Sequence, residues 1–171
     1  ITNGAGNFAI WPNKFLKFGP KGRLLAPQSG AMGYGVPAAI AAKLHDPSRF
    51  VLCFAGDGDF QMNGNELGSA MQAGLPLIIL IVNNGTYGTI RMHQERHYPE
   101  RVSGTELVNP DFVTLAKAYG FYGERVEKTE DFADAFARAC ESKTGAVLDL
   151  VVATEAITPR QSIGDLRKKS M

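Results

Sequence analysis

The 171 residues contain no apolar run longer than six residues, only two cysteines and almost no excess of either charge. Each shortage removes a class of protein. The longest apolar runs, Phe50–Ala55 and Leu77–Val82, fall far short of the ~20 residues a membrane-spanning helix needs, so no membrane is expected as a partner. Eighteen basic against seventeen acidic side chains leave a net charge of +1, so no electrostatic footprint for nucleic acid is visible. Cys53 and Cys140 stand far apart in apolar surroundings, which reads as packed thiols of a reducing, cytoplasmic compartment rather than a disulfide. The chain opens at Ile1 with neither an initiator Met nor a signal peptide, as a piece of a longer protein would.

What is present reads as one globular domain, with 44% apolar and 20% charged residues. Glycine is enriched, 19 of 171, without repeats, which suggests backbone pressed close to something. The two apolar runs are short, branched or aromatic and unalternating, as strands buried on both faces of a parallel sheet are. Between them a helix is expected over Gly64–Ala73, with Asn63 and Glu66 as a capping box and Gly74 as a stop.

Further alternation follows: a helix from Asn109-Pro110 to Gly120, a strand over Phe121–Val126, a helix capped by Thr129, and a strand over Ala146–Ala153. The helix after Thr129 would present Phe132, Ala135, Phe136, Ala139 and Cys140 on one face. Pro37–Leu44 reads as a compact apolar helix, and Ile1-Thr2 as the end of a strand. The expected class is α/β, an open, mostly parallel sheet with helices on both faces, over residues 1–153. Residues 154–171 are polar and patternless, a tail or a lid. Trp11 and the phenylalanines read as core.

Ligands of such sheets bind outside the carboxyl ends of the strands. Three glycine-bearing polar loops occupy those places: Asn3-Gly4-Ala5-Gly6-Asn7, Gly56-Asp57-Gly58, and Asn83-Asn84-Gly85-Thr86-Tyr87-Gly88. Asp57 is a hard oxygen ligand between glycines that let an anion reach backbone N–H groups. Asn84 adds an amide oxygen, and the loop beyond it adds free carbonyls. One carboxylate with such neutral oxygens is too weakly charged to hold Mg²⁺ unless phosphate oxygens complete the octahedron.

The GDG at Gly56-Asp57-Gly58, the 24 residues from 59 to 82, and the NN at Asn83-Asn84 resemble the signature of thiamine diphosphate enzymes. Ser29–Ile40 is similar to the segment that grips the aminopyrimidine in their acetolactate synthase-like and pyruvate decarboxylase-like branch. The resemblance implies the pyrophosphate-binding (PP) domain of a 2-oxo acid decarboxylating and carboligating enzyme, with thiamine diphosphate and Mg²⁺ as cofactors. It implies Asp57, Asn84 and the Thr86 carbonyl as metal ligands. The backbone of Gly6, Asn7, Phe8, Gly56, Gly58, Asp59, Tyr87 and Gly88 would surround the diphosphate. The Gly30 carbonyl would accept from the aminopyrimidine, and Met32 would be the wedge that bends the cofactor, with a core methionine as the alternative reading of Met32.

No catalytic residue is expected in this chain. The activating glutamate of such enzymes lies on a pyrimidine-binding (Pyr) domain, usually of a partner subunit, which implies a homodimer or homotetramer at full length. The isolated chain is therefore expected to bind thiamine diphosphate weakly and to turn over nothing.

Three departures qualify the resemblance. Asp59 stands where Ser or Ala is usual, and its carboxylate would repel phosphate unless it points away. Phe8 replaces a common polar residue, and His93 a common tryptophan. His93 and His97, at i and i+4, lack both the adjacent Glu and the third ligand of a zinc site. Two rivals remain. Gly33–Ala38 matches the GxGxxA of a nicotinamide-dinucleotide domain, though Arg23–Met32 before it is a poor strand. The other is a non-catalytic subunit of the same fold, against which the intact Asp57/Asn84 pair argues.

Overall fold

The computed structural model describes residues 1–170. Its elements are β1 (Thr2–Asn3), α1 (Ile10–Phe15), α2 (Gly35–His45), β2 (Leu52–Gly56), α3 (Asp57–Asn63), α4 (Leu67–Gln72), β3 (Ile78–Asn83), α5 (Gly88–His97), α6 (Phe112–Ala118), β4 (Tyr122–Val126), α7 (Phe132–Glu141), β5 (Ala146–Val151), β6 (Ala156–Thr158), β7 (Gln161–Ser162) and α8 (Ile163–Ser170). β1 to β5 form one sheet in the order β1-β2-β3-β5-β4, every pair parallel. The chain steps from β1 through β3, crosses to the far edge for β4, and returns to place β5 between them. The strand order thus switches beside β3, where open α/β sheets bind ligands. Among the described residues no helix is long and apolar enough to cross a membrane.

Successive residues of a strand face opposite sides of its sheet, and this sorts the apolar runs into two cores. Cys53, Ala55, Ile79 and Ile81 pack with Val36 and Ala39 of α2, Leu67 and Ala70 of α4, and Phe112 and Ala116 of α6. Leu52, Ile78, Leu80 and Leu148 face the other way, towards Ala135 and Ala139 of α7. Helices cover both faces, but unequally.

The local readings shift in ways that have physical reasons. The helix expected from Gly64 begins at Asp57, directly where β2 ends, and continues through a 3-10 turn into α4. No capping box forms: Asn63 Nδ2 donates to the Gly33 carbonyl at 3.0 Å, and Glu66 accepts from Ser69 Oγ. The cap of α6 is Asp111, whose carboxylate accepts from the Val113 and Thr114 N–H groups; Asn109 is drawn into the site below. Thr129 lies inside a 3-10 turn and caps nothing.

Cys140, one position past the buried Ala139 on α7, turns to solvent, whereas Cys53 is buried. Phe60, Phe112 and Phe121 are core, but Trp11, Phe15, Phe18 and Phe50 are exposed. The first three of these lie in the 31-residue passage between β1 and α2, which holds little regular structure beyond α1.

The stretch from Thr154 is not patternless. β6 and β7 pair as a hairpin, and Ile157, Ile163 and Leu166 form a third small core against Met92 of α5. Met171 lies outside the described residues. Glu95 on α5 fastens the unit. It is fully buried and accepts from Arg167 Nε at 2.9 Å and Nη2 at 2.7 Å, from Arg91 Nε at 3.0 Å and from the Glu100 N–H at 2.9 Å. These bonds, the Arg167 pair first, hold its carboxyl down to about 2 despite burial.

A carboxyl depressed on folding stabilises above its unfolded value of about 4.3 and loses that contribution as pH falls towards its folded value. The docking of α8 is thus expected to be complete at neutral pH and to weaken between about pH 5 and 2. Glu95→Gln should cost about 2–3 kcal/mol at pH 7 and flatten that dependence, read by urea unfolding and by amide exchange in α8.

Candidate cofactor site

The three glycine-bearing loops meet at the carboxyl edge of β1, β2 and β3. Asp57 joins two of them. Its side chain is almost fully buried; Oδ1 accepts from the Gly58 N–H at 2.9 Å, and Oδ2 from the Gly85 N–H at 2.8 Å and from Asn109 Nδ2 at 2.8 Å. Burial pushes its carboxyl up, and the bonds from Asn109, Gly58 and Gly85 offset only part of that. A cation at this point would favour the ionised form.

A polar chain backs Asp57. Asn109 Nδ2 also donates to Asn83 Oδ1 at 3.0 Å, and Asn109 Oδ1 accepts from Gln61. Asn83 Nδ2 donates to the buried Asp149 of β5, whose other oxygen pairs with Arg125. Of the Asn83-Asn84 pair, the first therefore serves this network. Asn84 Oδ1 accepts from the Thr86 N–H at 3.1 Å, a local turn, and its carbonyl accepts from Thr154. The loop is braced from outside by Thr105–Leu107, which bond to Gly85, Thr86 and Tyr87.

All thirteen residues assigned to metal and cofactor from the sequence line one cleft of about 770 Å³. Gly58 shows why its floor needs glycine, since a Cβ there would meet the Tyr87 ring at 2.4 Å. Phe8 lays its ring against Gly6 and Gly56. Gly30 takes a left-handed conformation in a turn beside the half-buried Met32, which lines the cleft and is absent from the apolar cores. Beyond these loops the cleft follows the sparsely covered face of the sheet, past Phe54 and Leu80 towards Phe132 and Phe136.

Some expected contacts are engaged internally. The N–H of Gly58 points to Asp57, that of Tyr87 donates to the Thr105 carbonyl at 2.9 Å, and that of Asn7 donates to Thr89 Oγ1 at 3.0 Å. Asp59 lines the cleft, and its Oδ1 is held by backbone, accepting from the Gly33 N–H at 2.8 Å and the Ala5 N–H at 3.2 Å. His93 and His97 stack on each other on the exposed side of α5, away from the cleft. Among the described residues no three His, Cys, Asp or Glu side chains are grouped to hold a metal. A hard cation here needs oxygens from a ligand, as the single carboxylate implies.

The GxGxxA of Gly33–Ala38 does precede a helix, but Arg23–Met32 forms no strand, only one bridge from Leu25 to Thr2. The nicotinamide reading therefore lacks its βα turn.

Comparison with known proteins agrees with this geometry. Residues 4–150 match the family described as thiamine pyrophosphate enzyme, C-terminal TPP binding domain, thiamine pyrophosphate being thiamine diphosphate. The chain belongs to this family and is its cofactor-binding C-terminal domain. Within it, the chain is similar to acetolactate synthases. It is 37% identical to the large subunit of Parasynechococcus marenigrum over 89% of this chain and 25% of that one. It is 40% identical to the mitochondrial catalytic subunit of Saccharomyces cerevisiae over 86% of this chain and 22% of that one. The large subunit of Cyanidium caldarium is 37% identical over 87% and 26%. The chain thus spans about a quarter of the length of these relatives.

Asn109 is the site residue that sequence reasoning missed. Asn109→Ala is expected to destabilise the chain by about 1–2 kcal/mol, because Asp57 and Asn83 lose a buried donor. Asn109→Asp should cost more at pH 7, since it sets a second carboxylate against Asp57. Urea unfolding of both variants checks the order.

Proposed function

We propose that this domain supplies the diphosphate- and cation-binding half of an active site that decarboxylates a 2-oxo acid and joins the product to an acceptor, as acetolactate synthases do. The observation that carries the reading is the union of the GDG and NN loops through Asp57 Oδ2 and the Gly85 N–H at 2.8 Å. The donor set fits the cofactor: one buried carboxylate, an amide oxygen and a carbonyl ask for phosphate oxygens, and the glycine floor gives a diphosphate room.

Asp57, Asn84 and the Thr86 carbonyl would hold Mg²⁺. Backbone from Gly6, Gly56 and Gly88 would enclose the diphosphate, with Gly58 giving it room on the floor. The Gly30 carbonyl would accept from the aminopyrimidine, with Met32 beneath it. Thiamine diphosphate, when bound, supplies the electron sink that lets a 2-oxo acid lose CO₂. This chain's share is to hold and orient the cofactor and to keep water from it with apolar walls such as Phe8 and Trp11.

The acid that activates the cofactor comes from elsewhere in this reading. The only acids lining the cleft among the described residues are Asp57 and Asp59, and both are engaged in buried hydrogen bonds. Glu66 binds Ser69 on the exposed side of the 3-10 turn. A Pyr domain of a partner subunit in a homodimer or homotetramer would supply the glutamate.

Calorimetry tests the cofactor. Thiamine diphosphate should bind the chain weakly and only with Mg²⁺, chelation should abolish binding, and Asp57→Ala should weaken it at least about tenfold. Tight NADH binding without a thiamine diphosphate response would overturn the assignment. The 171 residues alone should decarboxylate no 2-oxo acid, and measurable turnover would refute the need for a second domain. The full-length protein given pyruvate should yield acetolactate; acetaldehyde alone would refute the carboligating reaction.

A further inference from the structure

Two ends of the cleft must lie at a fixed separation if one ligand is to reach both in a single conformation. The diphosphate end is formed by the Gly4–Asn7 loop and the start of α3, and the pyrimidine end by the Gly30–Gly33 turn. The side chains of α3 connect them. Asp59 Oδ1 accepts from the Ala5 N–H of the first loop and from the Gly33 N–H of the second. One turn further along α3, Asn63 Nδ2 donates to the Gly33 carbonyl at 3.0 Å. The Gly33 backbone is thus held on both sides, at its N–H and at its C=O, by residues four apart on one helix.

The backbone is shaped around these side chains. A Cβ on Gly4 would stand 2.0 Å and 2.1 Å from the two Asp59 carboxylate oxygens, and one on Gly33 would stand 2.8 Å from Asn63 Nδ2. Gly4 carries no left-handed strain, so close approach alone accounts for it. Asp59 is only 4% exposed. Two backbone donors, from loops 28 positions apart, thus converge on one Asp59 oxygen.

We propose that Asp59 and Asn63 are positioning residues, a clamp on α3 that sets the separation of the diphosphate and pyrimidine ends of the cleft. The proposal rests on the reading of the cleft as a thiamine diphosphate site. A carboxylate two positions after the metal-binding aspartate then serves the anion indirectly, by holding the two loops through their backbone N–H groups.

The test compares two probes on the full-length protein by calorimetry in Mg²⁺: thiamine diphosphate, which spans both ends, and inorganic diphosphate, which occupies one. Asp59→Ala should weaken thiamine diphosphate about tenfold and inorganic diphosphate less than about twofold. Asp59→Asn keeps Oδ1 as an acceptor and should retain both affinities within about twofold. Gly4→Ala should weaken thiamine diphosphate in the parent but add nothing in the Asp59→Ala background, where the clash is gone.

Amide exchange at Ala5 and Gly33 should quicken in Asp59→Ala and not in Asp59→Asn. Asn63→Ala carries the same selective loss and decides the matter if Asp59→Ala does not fold. Equal loss of both probes, or independent effects of Gly4→Ala and Asp59→Ala, overturns the clamp and leaves the cofactor assignment standing. A parent that binds no thiamine diphosphate overturns both.

Discussion

The buried carboxylate of Asp57 is the constraint around which the carboxyl edge of the sheet is arranged. It sits where β2 becomes α3 with no intervening loop, so its position is fixed by a strand on one side and a helix on the other. From there it draws in the Gly85 N–H of the next loop and the Asn109 amide that enters α6. A charge removed from water must be compensated by donors or by a counterion. The donors present compensate it only in part, since the carboxyl remains above its ordinary value.

The rest of the edge can be understood as support for that position. Asn109, Asn83, Asp149 and Arg125 form an unbroken chain of hydrogen bonds from α3 across β3 and β5 to β4. Asn109, Asn83 and Asp149 each have a partner on both sides, which is the condition under which buried polar networks rigidify rather than weaken a fold. The exposed Arg125 end lets solvent carry part of the charge of Asp149. The Thr105–Leu107 strip performs the same service for the outer wall of the Asn84–Tyr87 loop.

The two faces of the sheet differ in the same functional direction. One is closed by α2, α4 and α6 and holds the denser core, which fixes the strands. The other is closed by α7 over its far half, and its near half is left as an apolar extension of the cleft. The C-terminal hairpin and α8 are fastened over α5, the helix that begins where the Asn84–Tyr87 loop ends. Thr154 reaches back to the Asn84 carbonyl at 2.8 Å. The last described residues are thus tied to the same loop that the polar network holds from inside.

How much of this could be read from sequence follows from distance along the chain. The strands, the main helices and the pairing of the GDG and NN loops were legible, because period and spacing act within a single β-α-β unit. The burial of Trp11 and Phe15 was misread, because an apolar side chain announces its type and not whether anything packs on it.

The direction of the Asp59 carboxylate, the choice of Asn109 as a second-loop donor and the burial of Glu95 against Arg167 had no local signal at all. Their partners lie 26, 52 and 72 positions away, so only the folded chain brings them into hydrogen-bond range. By itself the sequence determined which backbone loops would meet, since strand ends and glycines are local facts. Tertiary structure alone decided which side chains hold those loops at their working separation, since a hydrogen bond forms only when both partners have been carried to within about 3 Å.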